Sequence, residues 1–418
     1  MKKYFTKFNT KEEYDIAYDE GNIDFPNVSV ANGKIIPKKM NYHQEYLTFE
    51  IVKAGSVGIY DNTGLELNPI YYSIDNGETW NELVFTTDSD FASFGNFKPG
   101  DTVKVKANNE SYYKNSWEPD GIHFVGTANY NVYGNIASIL LGDDFKTTNY
   151  NTYNIRENPI PNIFASYGYI SSDGLKKLSL KSNIISAKNL ILPFINLSNN
   201  CYYGMFNSCE SLIIPPELPA TTLADSCYSY MFGGCTNLTT APELHATTLA
   251  SYCYNAMFQG CTSLTIAPEL PATALAKYCY WSMFEGCTNL ITAPELPATT
   301  LVDSCYYYMF QGCTSLTTTP ELPATALATN CYYYMFEGCT SLNYAKALFI
   351  SYDNINNVNW ILEWLPELSE NNPGIFICNN NREWNVITYA SVRRPIPYGW
   401  IIFNEDGDEV LRPYAVDD

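Results

Sequence analysis

Twelve of the thirteen cysteines recur at a strict interval of 26 residues. They form two series, which are Cys201, Cys227, Cys253, Cys279, Cys305 and Cys331, and Cys209, Cys235, Cys261, Cys287, Cys313 and Cys339. Cysteines at regular spacing can bind zinc, but zinc sites pair cysteines about two to four residues apart and often add histidines. Here the paired positions are eight residues apart, and the chain has three histidines, His43, His123 and His245. We therefore expect no metal and no cofactor.

Two other cysteine chemistries also fit poorly. Residues eight apart along a helix are separated by about 12 Å of helical rise, which is beyond the reach of a disulfide. Bridges between neighbouring repeats stay open as an alternative. A nucleophilic cysteine needs a nearby base, and His245 only replaces a proline found at the same place in other repeats, such as Pro219 and Pro271. We predict reduced thiols that act as small buried apolar groups, and no enzymatic activity.

Two loops also suggest chemistry. The segment Ser73-Ile74-Asp75-Asn76-Gly77-Glu78-Thr79-Trp80 resembles the Asp-box turn of sialidases. A single copy is better explained as a hairpin turn, because Asp and Asn-Gly suit tight turns. The segment 404–408, Asn-Glu-Asp-Gly-Asp, lacks the glutamate that closes a calcium loop. We predict a hairpin turn there as well.

One repeat unit reads PELPATTLADSCYSYMFGGCTNLTTA, from Pro216 to Ala241. Thr221 stands where a side-chain oxygen can cap a helix. Leu223, Cys227 and Met231 follow at i, i+4 and i+8, which is typical of one helical face. Gly234 is placed to end that helix, and Pro242-Glu243-Leu244 should be extended. The unit therefore predicts one short helix and one extended arm, and stacked units would share a core as a solenoid.

The segment Met257 to Thr265, MFQGCTSLT, and its copies resemble the core motif of the BspA-like leucine-rich repeats. The longer pattern, as in APELPATALAKYCYWSMFEGCTNL, resembles the form found in Bacteroides-type surface proteins and in phages of that bacterial group. The likeness covers residues 190–345 closely. It implies a leucine-rich-repeat solenoid that serves interaction and not a reaction.

Outside the repeats, alternating runs such as Tyr46 to Ile51 and Thr102 to Lys106 predict antiparallel strands. We predict a mixed α+β chain in which a β-sandwich-like domain precedes the solenoid and a cap follows it. The expected divisions are an attachment segment at 1–40, with a short helix at Lys11 to Asp19, a small β-sandwich at 41–120, a transition and N-terminal cap at 121–185, the solenoid at 186–345, and a C-terminal cap at 346–418 carrying Trp360, Trp364, Trp384 and Trp400.

The formal net charge is −20 and no basic run occurs, so we expect no nucleic-acid partner, because phosphates are held by lysine and arginine clusters. Polar and acidic residues follow Met1 where a secretory signal would be apolar. No apolar stretch reaches the length of about 18 residues typical of a membrane helix. Either the chain is used without export or a leader was removed before residue 1, and Met1 favours the first. We also expect no membrane insertion, and thiols kept reduced in a cytoplasm during assembly.

Three columns of the repeat vary between units, whereas Tyr228, Tyr254, Tyr280 and Tyr306 form an invariant column that we interpret as structural. Varying positions should face solvent, and aromatic residues dominate several of them, which suits a protein or glycan contact. The alternative is that they merely decorate a chain with 35 tyrosines. The predicted binding surface consists of Tyr203, Tyr230, Tyr252, Tyr278, Trp281, Tyr307, Tyr308, Tyr333 and Tyr334.

The opening residues and the segment His123 to Phe145 also resemble parts of phage virion proteins of the same group. The leading hypothesis is a phage virion component of the head- or tail-fibre type, a homo-oligomer. It would join other virion proteins through its N-terminal region and contact a host-surface protein or glycan through the solenoid. The alternative is a BspA-like adhesin on a bacterial cell surface. A carbohydrate-active enzyme is a third possibility that rests on the Asp-box likeness alone.

Overall fold

The computed structural model describes residues 28–31, 34–37, 42–61, 67–85, 91–109, 111–112, 121–170, 177–349, 364–369, 372–380, 396–397 and 399–411. The predicted helix at Lys11 to Asp19, together with Trp360 and Trp384, lies outside these residues. Of the predicted attachment segment, the structure describes one antiparallel hairpin. Within the described residues no helix has the length and apolar character needed to cross a bilayer.

The described residues are rich in strands and contain little helix. The helices are α1 (Ser138–Leu141) and two 3-10 turns, η1 (Tyr42–Gln44) and η2 (Gly142–Lys146). The strands are β1 (Val28–Ala31), β2 (Lys34–Pro37), β3 (Leu47–Lys53), β4 (Gly55–Asp61), β5 (Tyr71–Ser73), β6 (Asn81–Glu82), β7 (Phe91–Phe97), β8 (Thr102–Lys106), β9 (Ile122–Gly126), β10 (Asn129–Asn135), β11 (Tyr167–Ile170), β12 (Lys177–Leu180), β13 (Ile184–Ile191), β14 (Thr318–Leu322), β15 (Tyr344–Ala347), β16 (Gly374–Cys378), β17 (Trp400–Asn404) and β18 (Glu409–Leu411).

Two larger sheets lie before the repeats, in addition to the two-stranded sheets β1-β2 and β11-β12. The larger has the strand order β13-β10-β3-β8-β5-β6, and the smaller has the order β7-β4-β9. The ring of Phe49 on β3 lies 4.9 Å from Phe124 on β9 and 6.4 Å from Phe94 on β7, between centroids. Because Phe49 belongs to the larger sheet and its two partners to the smaller one, these rings join the inner faces. The sheets therefore pack face to face around an aromatic core.

Strands from the segment predicted as a transition belong to the same two sheets. Strand β9 pairs with β4, and β10 pairs antiparallel with β3. Strand β13 then pairs in parallel with β10. The two sheets thus use residues on both sides of position 120, where the sequence suggested a boundary.

Each repeat unit contains a turn arm, which we define as residues 224–235 and their equivalents at 26-residue intervals. Inside this arm the N–H groups of Cys227, Ser229 and Met231 each donate to the carbonyl three residues earlier, at 3.2–3.3 Å. The N–H groups between them donate to the next unit at 2.8–3.0 Å, in the pairs Tyr228 to Cys253, Tyr230 to Asn255 and Phe232 to Met257. Alternate N–H groups therefore close turns within a unit and join consecutive units.

The helix predicted from Thr221 is wrong, and with it the α component of the mixed α+β prediction for the repeats. Ser226, Tyr230 and Gly234 have positive φ angles of 56°, 56° and 72°, which no right-handed helix contains. Spacing at i, i+4 and i+8 also fits a turn arm whose backbone repeats every four residues. Cys227 and Met231 are fully buried as expected, because both conformations place every fourth residue on one side.

The other half of each unit is extended. Burial alternates from Pro216 to Thr221, with Leu218 and Ala220 inside and Glu217 and Thr221 exposed. Neighbouring arms form parallel bridges, such as Thr248 to Ala274 and Ile266 to Thr292. Proline lacks a backbone N–H, so the prolines of each arm interrupt these ladders. The predicted extended arm is present as a chain of short bridges.

Residues 158–166 form a further turn segment before the first cysteine-containing unit. Asn158 and Asn162 have positive φ angles of 50° and 56°, and Asn162 donates its N–H to the Tyr203 carbonyl at 2.8 Å. The ring of Phe164 stacks on Phe206 at 5.3 Å and on Phe124 at 5.5 Å. One hydrophobic core therefore runs from the two sheets into the repeats.

The chain after the last cysteine pair continues the stack. Strands β14, β15, β16 and β17 are parallel neighbours, and β18 closes the sheet as an antiparallel edge. Phe336 donates its N–H to the Trp364 carbonyl at 2.9 Å, and Trp400 donates its ring N–H to the Pro366 carbonyl at 2.9 Å. Trp364 and Trp400 are both 1% exposed. The ring of Trp364 lies 6.4 Å from that of Tyr332 in the last cysteine-containing unit, so the buried core extends past the repeats.

Candidate functional site

Side chains of the turn arm point alternately in pairs. Cys227 and Tyr228 are buried in the core, as are Met231 and Phe232. Ser229 and Tyr230 lie between these pairs and occupy the outward positions of the arm, where Tyr230 is partly exposed. We call the surface formed by these outward positions, from 199–208 to 329–338, the turn face. All nine residues of the predicted binding surface lie on it, and each is partly exposed.

Seven of the nine form one connected cluster, which we call the aromatic cluster. Tyr252 stacks on Tyr278 at 4.6 Å, and Tyr278 contacts Trp281 at 5.5 Å. Trp281 meets Tyr307 edge-on at 5.6 Å. The remaining centroid distances are 4.9 Å for Tyr307–Tyr333, 4.4 Å for Tyr307–Tyr308, 4.3 Å for Tyr333–Tyr334 and 5.2 Å for Tyr308–Tyr334. The cluster spans four consecutive units.

Tyr203 and Tyr230 form a separate pair at 5.8 Å. Small or polar residues occupy the corresponding positions between this pair and the cluster. Ser229 donates to the side-chain oxygen of Asn255 at 3.0 Å, and the Asn255 amide donates to the Trp281 carbonyl at 3.0 Å. Ser229 is 2% exposed and Asn255 is 6% exposed. The prediction that varying columns face solvent is therefore wrong at these positions and also at Ala256, Ser282 and Ser304, which are buried. Larger neighbours cover these small side chains.

Five of the nine aromatic residues have a left-handed backbone. Their φ angles lie between 54° and 59°, at Tyr230, Tyr252, Tyr278, Tyr308 and Tyr334. Bulky side chains rarely adopt this region. At the positions equivalent to Tyr230, Tyr308 and Tyr334, other units hold Gly204, Ala256 and Ser282 in the same conformation. At those equivalent to Tyr252 and Tyr278, they hold residues such as Ser226 and Ser304. The turn arm therefore needs a positive φ at these positions but does not need a tyrosine.

Polar groups beside the cluster form ladders across units. Gln259 donates its side-chain amide to a Glu285 carboxylate oxygen at 2.9 Å, and Gln311 donates to Glu337 in the same way. Lys277 forms a salt bridge of 2.9 Å with Asp303, and this contact lowers the pKa of Asp303. Burial raises the pKa of Tyr307, and hydrogen bonding with Tyr308 adds to the effect. Tyr307 is therefore a neutral, hydroxyl-bearing ring at physiological pH.

Under the turn face lie the columns predicted as structural. The rings of Tyr228, Tyr254, Tyr280 and Tyr306 are at most 2% exposed and stack at 5.8–6.0 Å. The thiols of the second cysteine series each donate to a phenylalanine carbonyl of the preceding segment, as Cys235 does to Phe206 at 3.1 Å. All thirteen cysteines are buried. Their burial, predicted from the period, is confirmed.

The two loops that suggested chemistry are hairpin turns. Asp75 accepts hydrogen bonds from the Thr79 N–H at 2.9 and 3.0 Å and from the Ser73 hydroxyl at 2.7 Å. These contacts, led by those of Thr79, lower the pKa of Asp75 to about 2. Asp408 donates its N–H to the Asn404 side chain at 2.7 Å between β17 and β18. His245 is exposed, and the described residues contain no group of three or more His, Cys, Asp or Glu placed to hold a metal ion.

Sequence reasoning missed the acidic residues beside the aromatic cluster. Glu285 and Glu337 share a column with Gln259, Gln311 and Asn207, and the alternation of amide and carboxylate along it is visible in the aligned repeats. The column follows the outward pairs, such as Trp281-Ser282 and Tyr333-Tyr334, by three residues, so a four-residue turn places it on the same face. A helical period obscured that relation.

Comparison with known proteins gives no match, since no family model matches the chain and neither a curated protein nor a solved structure does. A functional conclusion must therefore come from the chain's own contacts and from its internal repetition.

Proposed function

We propose that this chain is a non-enzymatic binding protein whose repeats form a leucine-rich-repeat-type solenoid and present the aromatic cluster to a partner on a host surface. The observation that carries the proposal is the cluster itself, seven partly exposed rings in continuous contact from Tyr252 to Tyr334. Tyrosine and tryptophan are enriched in the parts of interfaces that contribute most to affinity.

Backbone strain supports a binding role over decoration. A non-glycine residue in the left-handed region costs about 1 kcal/mol or more. Ala256 and Ser282 occupy the same column as Tyr308 and Tyr334, so a smaller residue is compatible with the unit. A large ring at a strained position that does not require it is better explained by contact with a partner than by folding.

The solenoid rests on the 26-residue period, the hydrogen bonds between consecutive units and the resemblance of the repeat motif to the BspA-like form. The shared core from Phe124 through Phe164 to Phe206 would hold the face rigidly relative to the two sheets. A core shared by the sheets and the repeats suits a protein that attaches through one end and displays a binding surface at the other. We favour a phage virion component of the head- or tail-fibre type, because the opening segment and the join resemble those of virion proteins.

The binding role is tested with the double variant Trp281→Ala with Tyr307→Ala in the full chain. We expect loss of binding to host cells, measured by flow cytometry with the labelled protein, because each anchor commonly contributes about 2 kcal/mol or more. Tyr344→Ala is the control, since Tyr344 is an exposed aromatic residue on the extended arm. Normal binding by the double variant would contradict the proposed role of the cluster.

The placement in a virion is tested separately. Antibodies against the chain should label purified phage particles in immuno-electron microscopy. Labelling of intact bacterial cells without particles would favour the alternative, a cell-surface adhesin.

A further inference from the structure

The charges of the turn face are unevenly distributed. Its acidic side chains are Asp225, Glu285, Asp303 and Glu337, and its basic side chain is Lys277. Lys277 is matched by Asp303 at 2.9 Å. The face therefore keeps an excess of carboxylates, in a chain whose formal net charge is −20.

Two of these carboxylates belong to residues that follow outward pairs of the turn arm, Glu285 after Trp281-Ser282 and Glu337 after Tyr333-Tyr334. The backbone N–H of Glu285 donates to the Ser282 carbonyl at 3.1 Å, and that of Glu337 donates to the Tyr334 carbonyl at 3.3 Å. Each carboxylate also accepts an amide hydrogen bond from the unit before it. These contacts fix the two carboxylates on the turn face, in units that also carry rings of the cluster, and both residues stay partly exposed.

Resting on the proposed function above, we propose that the partner recognised by the aromatic cluster is a basic polypeptide surface that presents arginine or lysine side chains. Tyrosine and tryptophan faces attract cations, and guanidinium groups above all. A carboxylate beside the ring adds a charge-assisted hydrogen bond to the same cation. The rings thus supply contact area and the two glutamates select the charge.

The same arrangement disfavours other partners. An anionic glycan or a phosphate-bearing surface would bring like charge against Glu285 and Glu337, which is costly at an interface. A neutral glycan would stack on the rings but would gain nothing from the carboxylates. Dependence on the two glutamates therefore separates a basic protein partner from a neutral glycan.

The test uses the full chain and three fluorescein-labelled probes, an alternating arginine–glycine peptide, the matching glutamate–glycine peptide and a neutral malto-oligosaccharide. Fluorescence anisotropy should show binding of the arginine peptide that weakens as salt rises. The double variant Glu285→Gln with Glu337→Gln keeps the shape and the hydrogen bond from glutamine, and should reduce that affinity by about tenfold or more.

The matched control is Glu243→Gln with Glu269→Gln, which removes two exposed carboxylates from the extended arm. It should change the affinity less than twofold, so that a general attraction to an acidic chain is accounted for. Equal losses in the two double variants, or preference for the oligosaccharide, would overturn the basic-partner inference. If Trp281→Ala with Tyr307→Ala abolishes host binding while Glu285→Gln with Glu337→Gln does not, the proposed function stands and this inference fails.

Discussion

The inner and outer sides of the same turn arms follow opposite rules. Inside, the ring column from Tyr228 to Tyr306 repeats one residue type and stacks at nearly constant spacing. On the turn face, two residues along, the column runs from Tyr230 through Ala256 and Ser282, which are buried, to Tyr308 and Tyr334, which are partly exposed. Close packing tolerates little change in volume, whereas the outer positions accept any residue that can adopt the backbone. Stability and recognition are therefore carried by different faces of one element.

The largest expected effect concerns the buried side and is alkaline unfolding. Burial raises the pKa of every repeat cysteine, to about 12 for Cys227, Cys305 and Cys339. Below the ordinary thiol pKa of 9.0, both folded and unfolded chains hold the thiol proton, so the burial of the thiols does not reduce stability. Above that pH only the unfolded chain ionises, and stability falls up to the folded pKa. Each thiol then costs about 1.4 kcal/mol per pH unit.

Twelve such thiols cost on the order of 17 kcal/mol per pH unit, which exceeds the total stability of most domains, about 5–15 kcal/mol. We expect cooperative unfolding within roughly one pH unit above 9. Circular dichroism in a reducing buffer measures this transition. On alkaline unfolding, the variant Cys253→Ala with Cys261→Ala should release about two fewer protons than the unsubstituted chain. Constant stability between pH 9 and 11 would contradict the burial of the thiols.

The next effect compares two adjacent residues on opposite sides. Tyr280→Ala should lower the free energy of unfolding by about 3–5 kcal/mol, because it opens a cavity between two stacked rings. Trp281→Ala should cost about 1–2 kcal/mol, since the indole is partly exposed and loses only ring contacts at the surface. Urea titrations of the two variants measure the difference. Equal losses would mean that the turn face is as structural as the core.

The smallest effect tests the backbone of the outer side. At Tyr308, with φ of 57°, glycine should be more stable than alanine by about 1 kcal/mol, because only glycine adopts this region without a steric penalty. At the neighbouring Tyr307 alanine should be the more stable replacement. Thermal unfolding of the four single variants gives both comparisons. If Tyr308→Ala were more stable than Tyr308→Gly, the result would favour the helix that the periodicity predicted.

Much of the repeat could be predicted because it needs no information from outside the unit. The positions of Cys227 and Met231 mark the inward side under either conformation. The nine aromatic residues could therefore be assigned to the opposite, outward side. The helix could not be rejected from spacing alone, because a four-residue turn arm and an α-helix share the same apolar positions. The distinguishing signal was present in Ser226, Tyr252 and Gly234, which hold left-handed positions, but tyrosine there conceals the pattern that glycine or asparagine would reveal.

The sequence by itself determined the 26-residue unit, the buried columns and the hairpin turns at Asp75 and Asn404, because each depends on residues close in the chain or on repetition. Only the tertiary structure decided that strands β9, β10 and β13 complete the two sheets, and that residues 158–166 join their core to the repeats. It also decided which aromatic residues touch, and that Glu285 and Glu337 lie on the same face as these rings. These relations depend on hydrogen bonds between units and on contacts across sheets, which a local pattern does not specify.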